Sequence, residues 1–390
     1  VKITILIANA YGMGGTIRTV FNLAGGLAER HEVEIVSLVQ HTEEPFFTLP
    51  DGVRLRSLTW IGPPTEGRES PGRLERRRER RPARPVPPSE FRRNRYLNAR
   101  TEREVRRLLR RTDADVVMGT RPGINLMLAK WAPRRLLTIG QVHTHLGSHG
   151  PDLRAEIRRR YPRLDGLVVL TDSDRDMFAD FLRPPPGWLV TMPNALPPGH
   201  YPRSSQENPI IVAAGRIAAV KQYPKLLEAF SMVAHVHPEW RLRIYAGGEG
   251  QDDLRDQIAD MGLSNQVTLM GRTRDLPGEL SKGSILAVSS RYEGFGMTII
   301  EAFSVGVPVV SFDCPQGPRE IIEHERNGLL VPAQEVTSLG WALLRMVENH
   351  DERLRMSDAA IRASETYALP VITRRWEEYI EERRASKTAH

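Results

Sequence analysis

Two glutamates eight residues apart frame the part of this chain whose residue types are best suited to chemistry. They are Glu293 and Glu301, in Arg291-Tyr292-Glu293-Gly294-Phe295-Gly296-Met297-Thr298-Ile299-Ile300-Glu301-Ala302-Phe303. The apolar run Ile285-Leu286-Ala287-Val288 reads as a strand, two glycines break the chain after it, and a helix is predicted from about Met297. A strand-turn-helix of this kind presents bare backbone N–H groups at the positive end of a helix, an arrangement suited to a phosphate. Carboxylates accept hydrogen bonds from sugar hydroxyls. The stretch therefore fits a ligand that carries both phosphate and hydroxyl groups. Arg216 and Lys221 follow another buried-type strand, Ile210-Ile211-Val212-Ala213-Ala214, and are candidate cations for the same phosphate.

Other groups carry weaker signals. His143, His145 and His149 have a spacing that could hold a metal, but no cysteine lies near and the remaining ligands would have to come from elsewhere. No metal site is expected. The pairs Asp113/Asp115 and Asp172/Asp174 resemble metal-binding carboxylates, yet each stands at a strand or helix boundary, where helix capping explains it better. Gly12-x-Gly14-Gly15 lacks the Gly-x-Gly-x-x-Gly spacing of dinucleotide sites, and no acid at the end of the second strand is placed for a ribose. Cys314 stands alone, which excludes an intrachain disulfide framework and reads as a small residue near a turn.

The elements that must position these residues form two alternating series. Lys2–Ala8 is strand-like, Gly12–Gly15 turns, Ile17, Val20, Phe21, Ala24 and Leu27 recur at helical spacing, and Val33–Val39 resumes as a strand. Further strands are predicted at 115–118, 136–139 and 166–170, then at 210–214, 242–246, 267–270, 285–288, 307–310 and 328–331. The nearly apolar first strand implies a parallel sheet covered on both faces. With 390 residues, 40% of them hydrophobic and 26% charged, the chain suits two soluble α/β domains and excludes a disordered one. The predicted division is 1–195, a proline-rich linker at 196–208, a second domain at 209–366 and a C-terminal helix at 367–390. Residues 62–89 read as a mobile basic loop, followed by a helix from about Ser89 to Arg111. In doubly wound sheets ligands bind at the carboxyl ends of the strands, which predicts a site in a cleft between the domains.

Taken together, Glu293-x7-Glu301 with Glu-Gly-Phe-Gly, Gly14-Gly15-Thr16, Gly215-Arg216 with Lys221, Gly247-Gly248-Glu249-Gly250, Asp313-Cys314-Pro315-Gln316-Gly317-Pro318 and Asn327-Gly328 resemble the family-4 retaining glycosyltransferases of GT-B fold. The resemblance covers almost the whole chain and is strongest in its second half. It implies two Rossmann-like doubly wound domains, the first binding the acceptor and the second a nucleotide-sugar donor, here a UDP-hexose or UDP-N-acetylhexosamine. Glu301 would hold the ribose hydroxyls and Glu293 those of the donated sugar. Arg216 and Lys221 would hold the diphosphate, with the backbone of Phe295, Gly296, Met297 and Thr298 and the turn at Gly14-Gly15 closing around it. Gly271-Arg272 would read the base, and His143 would lie near the sugar, with His145 as the alternative. No cofactor and no metal are implied, since fixed cations and a helix end can stabilise the departing phosphate.

The formal charge of +7 is concentrated, because residues 68–111 hold 17 Arg and 6 Glu and the rest of the chain is net acidic. An anionic membrane face or a phosphate-rich acceptor suits this segment as well as a solvated surface does; nucleic acid suits it less, with only Phe91 and Tyr96 for stacking. A cytoplasmic protein, peripheral on the membrane at most, is expected, since the opening residues lack the pattern of a signal peptide. Two rival readings are a nucleotide-sugar epimerase of GT-B-like fold and an inactive basic scaffold. The first would form product without an acceptor, and the second would release no nucleotide.

Overall fold

A computed structural model describes residues 1–64 and 71–388. The chain divides into two compact units, one formed by Val1–Pro197 with the C-terminal segment from Leu369, the other by Pro198–Ala368.

The first unit is built on seven parallel strands: β1 (Lys2–Asn9), β2 (Glu32–Gln40), β3 (Val53–Trp60), β4 (Val116–Gly119), β5 (Leu137–Val142), β6 (Gly166–Val169) and β7 (Leu189–Thr191). Their order is β3-β2-β1-β4-β5-β6-β7. Alternate residues of β1 enter two separate cores, with Leu6 and Ala8 facing Leu97, Val105 and Ile124. Ile3, Ile5 and Ile7 face Phe21, Leu27 and Trp376 on the other side. Burial on both faces is why this strand has no polar alternation. The C-terminal helix Leu369–Thr388 seals the second core with Ile372, Trp376, Tyr379 and Ile380.

The second unit has six parallel strands: β8 (Ile210–Ala214), β9 (Arg241–Tyr245), β10 (Val267–Leu269), β11 (Ile285–Val288), β12 (Val309–Phe312) and β13 (Gly328–Val331). Their order is β10-β9-β8-β11-β12-β13. In each sheet the winding reverses once, between β1 and β4 and between β8 and β11. The carboxyl ends of those strand pairs are the switch points at which doubly wound sheets bind ligands.

Four sequence expectations change. The stretch 62–89 is not a loop throughout, because Arg73–Glu79 is helical, while Ala83 and Val86 are buried in the core beside the bridge Pro82–Asn98; residues 65–70 of that stretch lie outside the described residues. The helix expected over 89–111 is two, Pro88–Arg93 and Ala99–Arg111, separated by a turn in which Asn98 caps the second by accepting from the amides of Arg100 and Thr101. Ahead of the predicted linker, Leu189–Thr191 forms β7 between Pro186 and Pro193 and adds a strand to the sheet edge, where no strand was expected. Finally, Thr171 rather than Asp172 caps the helix Asp172–Leu182, accepting from the Asp174 amide at 3.2 Å.

Candidate functional site

In the second unit the loops after β8 and β11 are laced together. The Ser289 hydroxyl donates to the Lys221 carbonyl at 2.7 Å and the Arg291 amide to that of Val220 at 2.8 Å. This brings the Lys221 ammonium 2.6 Å from Glu293 Oε1, and the Ser290 hydroxyl donates to the same oxygen at 2.6 Å. Both contacts on Glu293 fall on Oε1. Gly215, at φ +147°, makes the approach possible, since a Cβ there would stand 2.7 Å from Lys221 Cε. Its carbonyl accepts from the Tyr223 hydroxyl at 3.1 Å, which fixes the turn. Arg216, next along, is exposed and has no acidic partner among the described residues.

Phe295 is buried and packs edge-on against Tyr367 at 5.8 Å between ring centroids. Gly296, at φ +105°, begins the helix Met297–Ser304; its carbonyl accepts from the Ile299 amide at 2.9 Å, and no side chain of the capping residue claims the amides of Met297 and Thr298. Glu301 is 2% exposed, on the helix face shared with Met297 and Thr298, one turn below that open end. The turn Cys314–Pro318 backs this segment, because a Cβ on Gly317 would overlap the Phe295 carbonyl. The two-pronged pair of Arg319 with Asp313, at 2.9 Å for both bonds, holds that turn. Cys314 is fully buried and its thiol is pushed up to about 12, first by burial and then by the Glu293 charge, so it is no nucleophile. Gly271 and Arg272 follow β10, two strands from β8, and Arg272 lies against Gly247, where a Cβ would overlap it.

The first unit collects a different set of residues. A cavity of about 160 Å³ opens at the carboxyl ends of β1, β4 and β5, lined by Asn9, Thr16, Thr120, Arg121, His143 and Thr144. Gly14 caps the helix Gly15–Ala28 without a side chain, and neither Gly14 nor Gly15 has a neighbour that a Cβ would touch, so the space above them is open. His143 stands 3.2 Å from Gln141 Oε1, and burial holds its imidazole down at about 4, which keeps it neutral near pH 7. The other two histidines point elsewhere: His145 is 2.9 Å from Asp174, and His149 is buried. Among the described residues no three His, Cys, Asp or Glu side chains converge as metal ligands would.

Of the residues singled out in the sequence, Arg216, Lys221, Glu293, Phe295, Gly296, Met297, Thr298 and Glu301 thus belong to loops and a helix at one switch point. Gly271 and Arg272 flank it on the same sheet, and Gly14, Gly15 and His143 gather at the other. Sequence reasoning missed Ser290, Thr120 and Arg121. A serine three residues before a glutamate carries no signal of its own. Arg121 is held by Glu90, 2.9 Å away, and comes to the cavity from a different element than the Gly14-Gly15 turn, which no local spacing reveals.

Solved structures share this architecture. S. aureus TarM, crystallised with fondaparinux, α-GlcNAc-glycerol and UDP, superposes with a TM-score of 0.78 over 97% of this chain and 99% of its own, at 15% identity. Anabaena HepE in complex with UDP and glucose gives 0.74 over 98% and 99%, at 17% identity. The fold is that of the GT-B glycosyltransferases. Residues 13–199 match the model of glycosyltransferase family 4 and residues 202–363 that of the glycosyl transferases group 1. The chain belongs to family 4 of the glycosyltransferases. An exopolysaccharide phosphotransferase of Streptomyces coelicolor is 34% identical over 98% of this chain, which spans only 41% of that relative. The poly(glycerol-phosphate) α-glucosyltransferase of Bacillus subtilis is 30% identical over 42% of the chain and 24% of its own length. The chain thus spans less than half of either curated relative.

Proposed function

We propose that the protein transfers a hexosyl or N-acetylhexosaminyl unit from a UDP-sugar to a hydroxyl of a cell-surface glycan or polyol-phosphate acceptor, with retention at the anomeric carbon. The observation that carries this reading is the Lys221–Glu293–Ser290 cluster beside the open first turn of the Met297–Ser304 helix. The diphosphate is held by Arg216, Lys221 and the helix amides, and Glu301 accepts from the ribose hydroxyls. Glu293 turns its second oxygen to the donated sugar. The bond from the anomeric carbon to the diphosphate oxygen breaks, the acceptor oxygen bonds that carbon, and its proton leaves with the diphosphate. Negative charge grows on the leaving group, and fixed cations with oriented amides stabilise it without reorganising, so no divalent ion is needed. His143, neutral in the first-unit cavity, is available to hydrogen-bond the transferred sugar or the acceptor. UDP in the TarM and HepE crystals and polyol-phosphate or polysaccharide substrates in the names of relatives support the donor and acceptor classes.

The Streptomyces relative favours a second reading, transfer of a sugar phosphate. The leaving group separates the two: glycosyl transfer releases UDP, whereas sugar-phosphate transfer releases UMP. Incubation of UDP-glucose and UDP-N-acetylglucosamine with poly(glycerol phosphate) should yield UDP only when acceptor is present. UMP would establish the second reading, and acceptor-independent conversion of the donor would establish an epimerase.

The basic helices give the same polyanionic acceptor, or an anionic membrane face, a place to dock. Some of their arginines are occupied internally, as Arg100 is by Glu79 and Arg106 by the Trp131 ring at 4.1 Å. Arg76, Arg77, Arg80 and Arg81 remain exposed. Replacing Arg76-Arg77-Arg78 and Arg80-Arg81 by glutamine should abolish salt-sensitive binding to anionic vesicles or polymer, and unchanged binding would remove this role. Among the described residues no helix is long and apolar enough to cross a membrane.

A further inference from the structure

A cavity of about 760 Å³ in the first unit lies at the amino-terminal ends of β5, β6 and β7. That is the sheet edge opposite the switch point, so the cavity plays no part in the site described above. Its walls come from the segments that lead into those strands and from the C-terminal helix. One side is apolar, with Ala132, Pro133, Leu182 and Pro184 partly exposed over the buried Leu136, Leu164 and Trp188, whose indole N–H is already spent on the Leu164 carbonyl at 2.8 Å. The other side is cationic, formed by Arg134, Arg163, Arg183 and Arg383.

The charges of this cavity do not balance. Its acid, Asp165, is taken by Lys387 at 2.6 Å, and it also accepts from the Thr138 amide at 2.7 Å. Arg134, Arg163 and Arg183 are exposed, and none of the four arginines has a carboxylate partner among the described residues. Arg383 is held in place without being satisfied. Its guanidinium lies 5.9 Å from the Tyr379 ring centroid and donates to Ser386 Oγ at 3.1 Å, while its Nε is buried with no hydrogen-bond partner among the described residues. Two glycines leave the room this requires. A Cβ on Gly187 would stand 3.2 Å from Arg383 Nη2, and one on Gly166 would overlap the Tyr379 hydroxyl.

We propose that this cavity binds a phosphate ester attached to an apolar body, the phosphate against the arginines and the apolar part against Ala132, Pro133, Leu182 and Pro184. Guanidinium forks match phosphate oxygens, and a cationic wall facing an apolar one selects for a ligand that carries both characters. The ligand is either the headgroup of an anionic lipid or a soluble amphiphilic ester.

Calorimetric titration of the full chain with decyl phosphate, inorganic phosphate and decyl glucoside tests this. Decyl phosphate should bind at least about tenfold more tightly than either of the others, and Arg163→Gln and Arg183→Gln should each weaken it by about tenfold. Both positions are exposed, so these variants should fold. Vesicles of phosphatidylcholine containing phosphatidic acid identify the source: binding that the same variants abolish assigns a membrane headgroup, and binding of decyl phosphate alone assigns a soluble ester. Equal affinity in the doubly substituted protein would overturn the proposal, and so would displacement of decyl phosphate by UDP, which would put the ligand in the second unit. Failure of UDP itself to bind would count against the glycosyltransferase reading and leave this result standing.

Discussion

Lys221 and Glu293 stand 72 positions apart in the chain and meet at 2.6 Å, both side chains less than one fifth exposed. Their pairing joins the two strands at which the second sheet reverses its winding. A largely buried ion pair contributes little net stability, because desolvation offsets most of the attraction. Its value lies in holding a cation and a carboxylate where a charged sugar donor can use each.

Glu293→Gln should therefore cost turnover more than folding. Glutamine keeps the shape and removes the charge that orients Lys221, so kcat should fall by about 100-fold with the melting temperature nearly unchanged. Ser290→Ala should lower kcat by less, about tenfold, at unaltered KM, because it removes one of the two bonds that position the same oxygen. Steady-state kinetics beside a thermal melt checks both. Full activity and unchanged donor affinity in Glu293→Gln would take this residue out of the site.

Gly215 should tolerate no side chain. Alanine adds strain at φ +147° and meets the Lys221 stem, so Gly215→Ala should destabilise by about 1–3 kcal/mol and weaken donor binding as Lys221 is displaced. Urea unfolding and calorimetry read the two effects separately. A variant as stable and as tight as the wild type would show that the turn does not place Lys221.

His149 gives a stability that depends on pH. Both ring nitrogens are buried without hydrogen-bond partners among the described residues, and burial, with the charge of Arg93 next, pushes the imidazole down from 6.5 to about 4. The unfolded chain then binds more protons than the folded one between those values. Stability is complete above pH 6.5 and is lost as the pH falls towards 4, by up to about 3 kcal/mol from this residue. His149→Leu should flatten that part of the urea-midpoint profile and stabilise the protein at about pH 5 relative to the wild type. An unchanged profile would contradict the assignment.

What the sequence disclosed, and what it hid, follows from how far each signal reaches. The βαβ opening was legible because β1 is buried on both faces, so its apolar run is unbroken. β3 was not recognised, although Val53-Arg54-Leu55-Arg56 alternates, because an edge strand with charged residues facing outward looks like a polar connection. β7 is three residues long among prolines and becomes a strand only by pairing with β6. Glu293 and Glu301 were legible because turn and helix impose a local spacing. The cavity around His143 was not, because Asn9, Thr120 and Arg121 reach it from β1 and β4, which lie more than a hundred residues apart and become neighbours only in the sheet.

The central claim is that the second unit holds a nucleotide diphosphate with its own cations and amides, and calorimetric binding of UDP, GDP and ADP, with and without EDTA, to wild type and Glu301→Ala tests it most directly. The account predicts that UDP binds best, that EDTA changes nothing, and that the variant weakens binding by about tenfold or more through loss of the ribose contacts. Binding of none of the three nucleotides, or binding of UDP that EDTA abolishes, would contradict it.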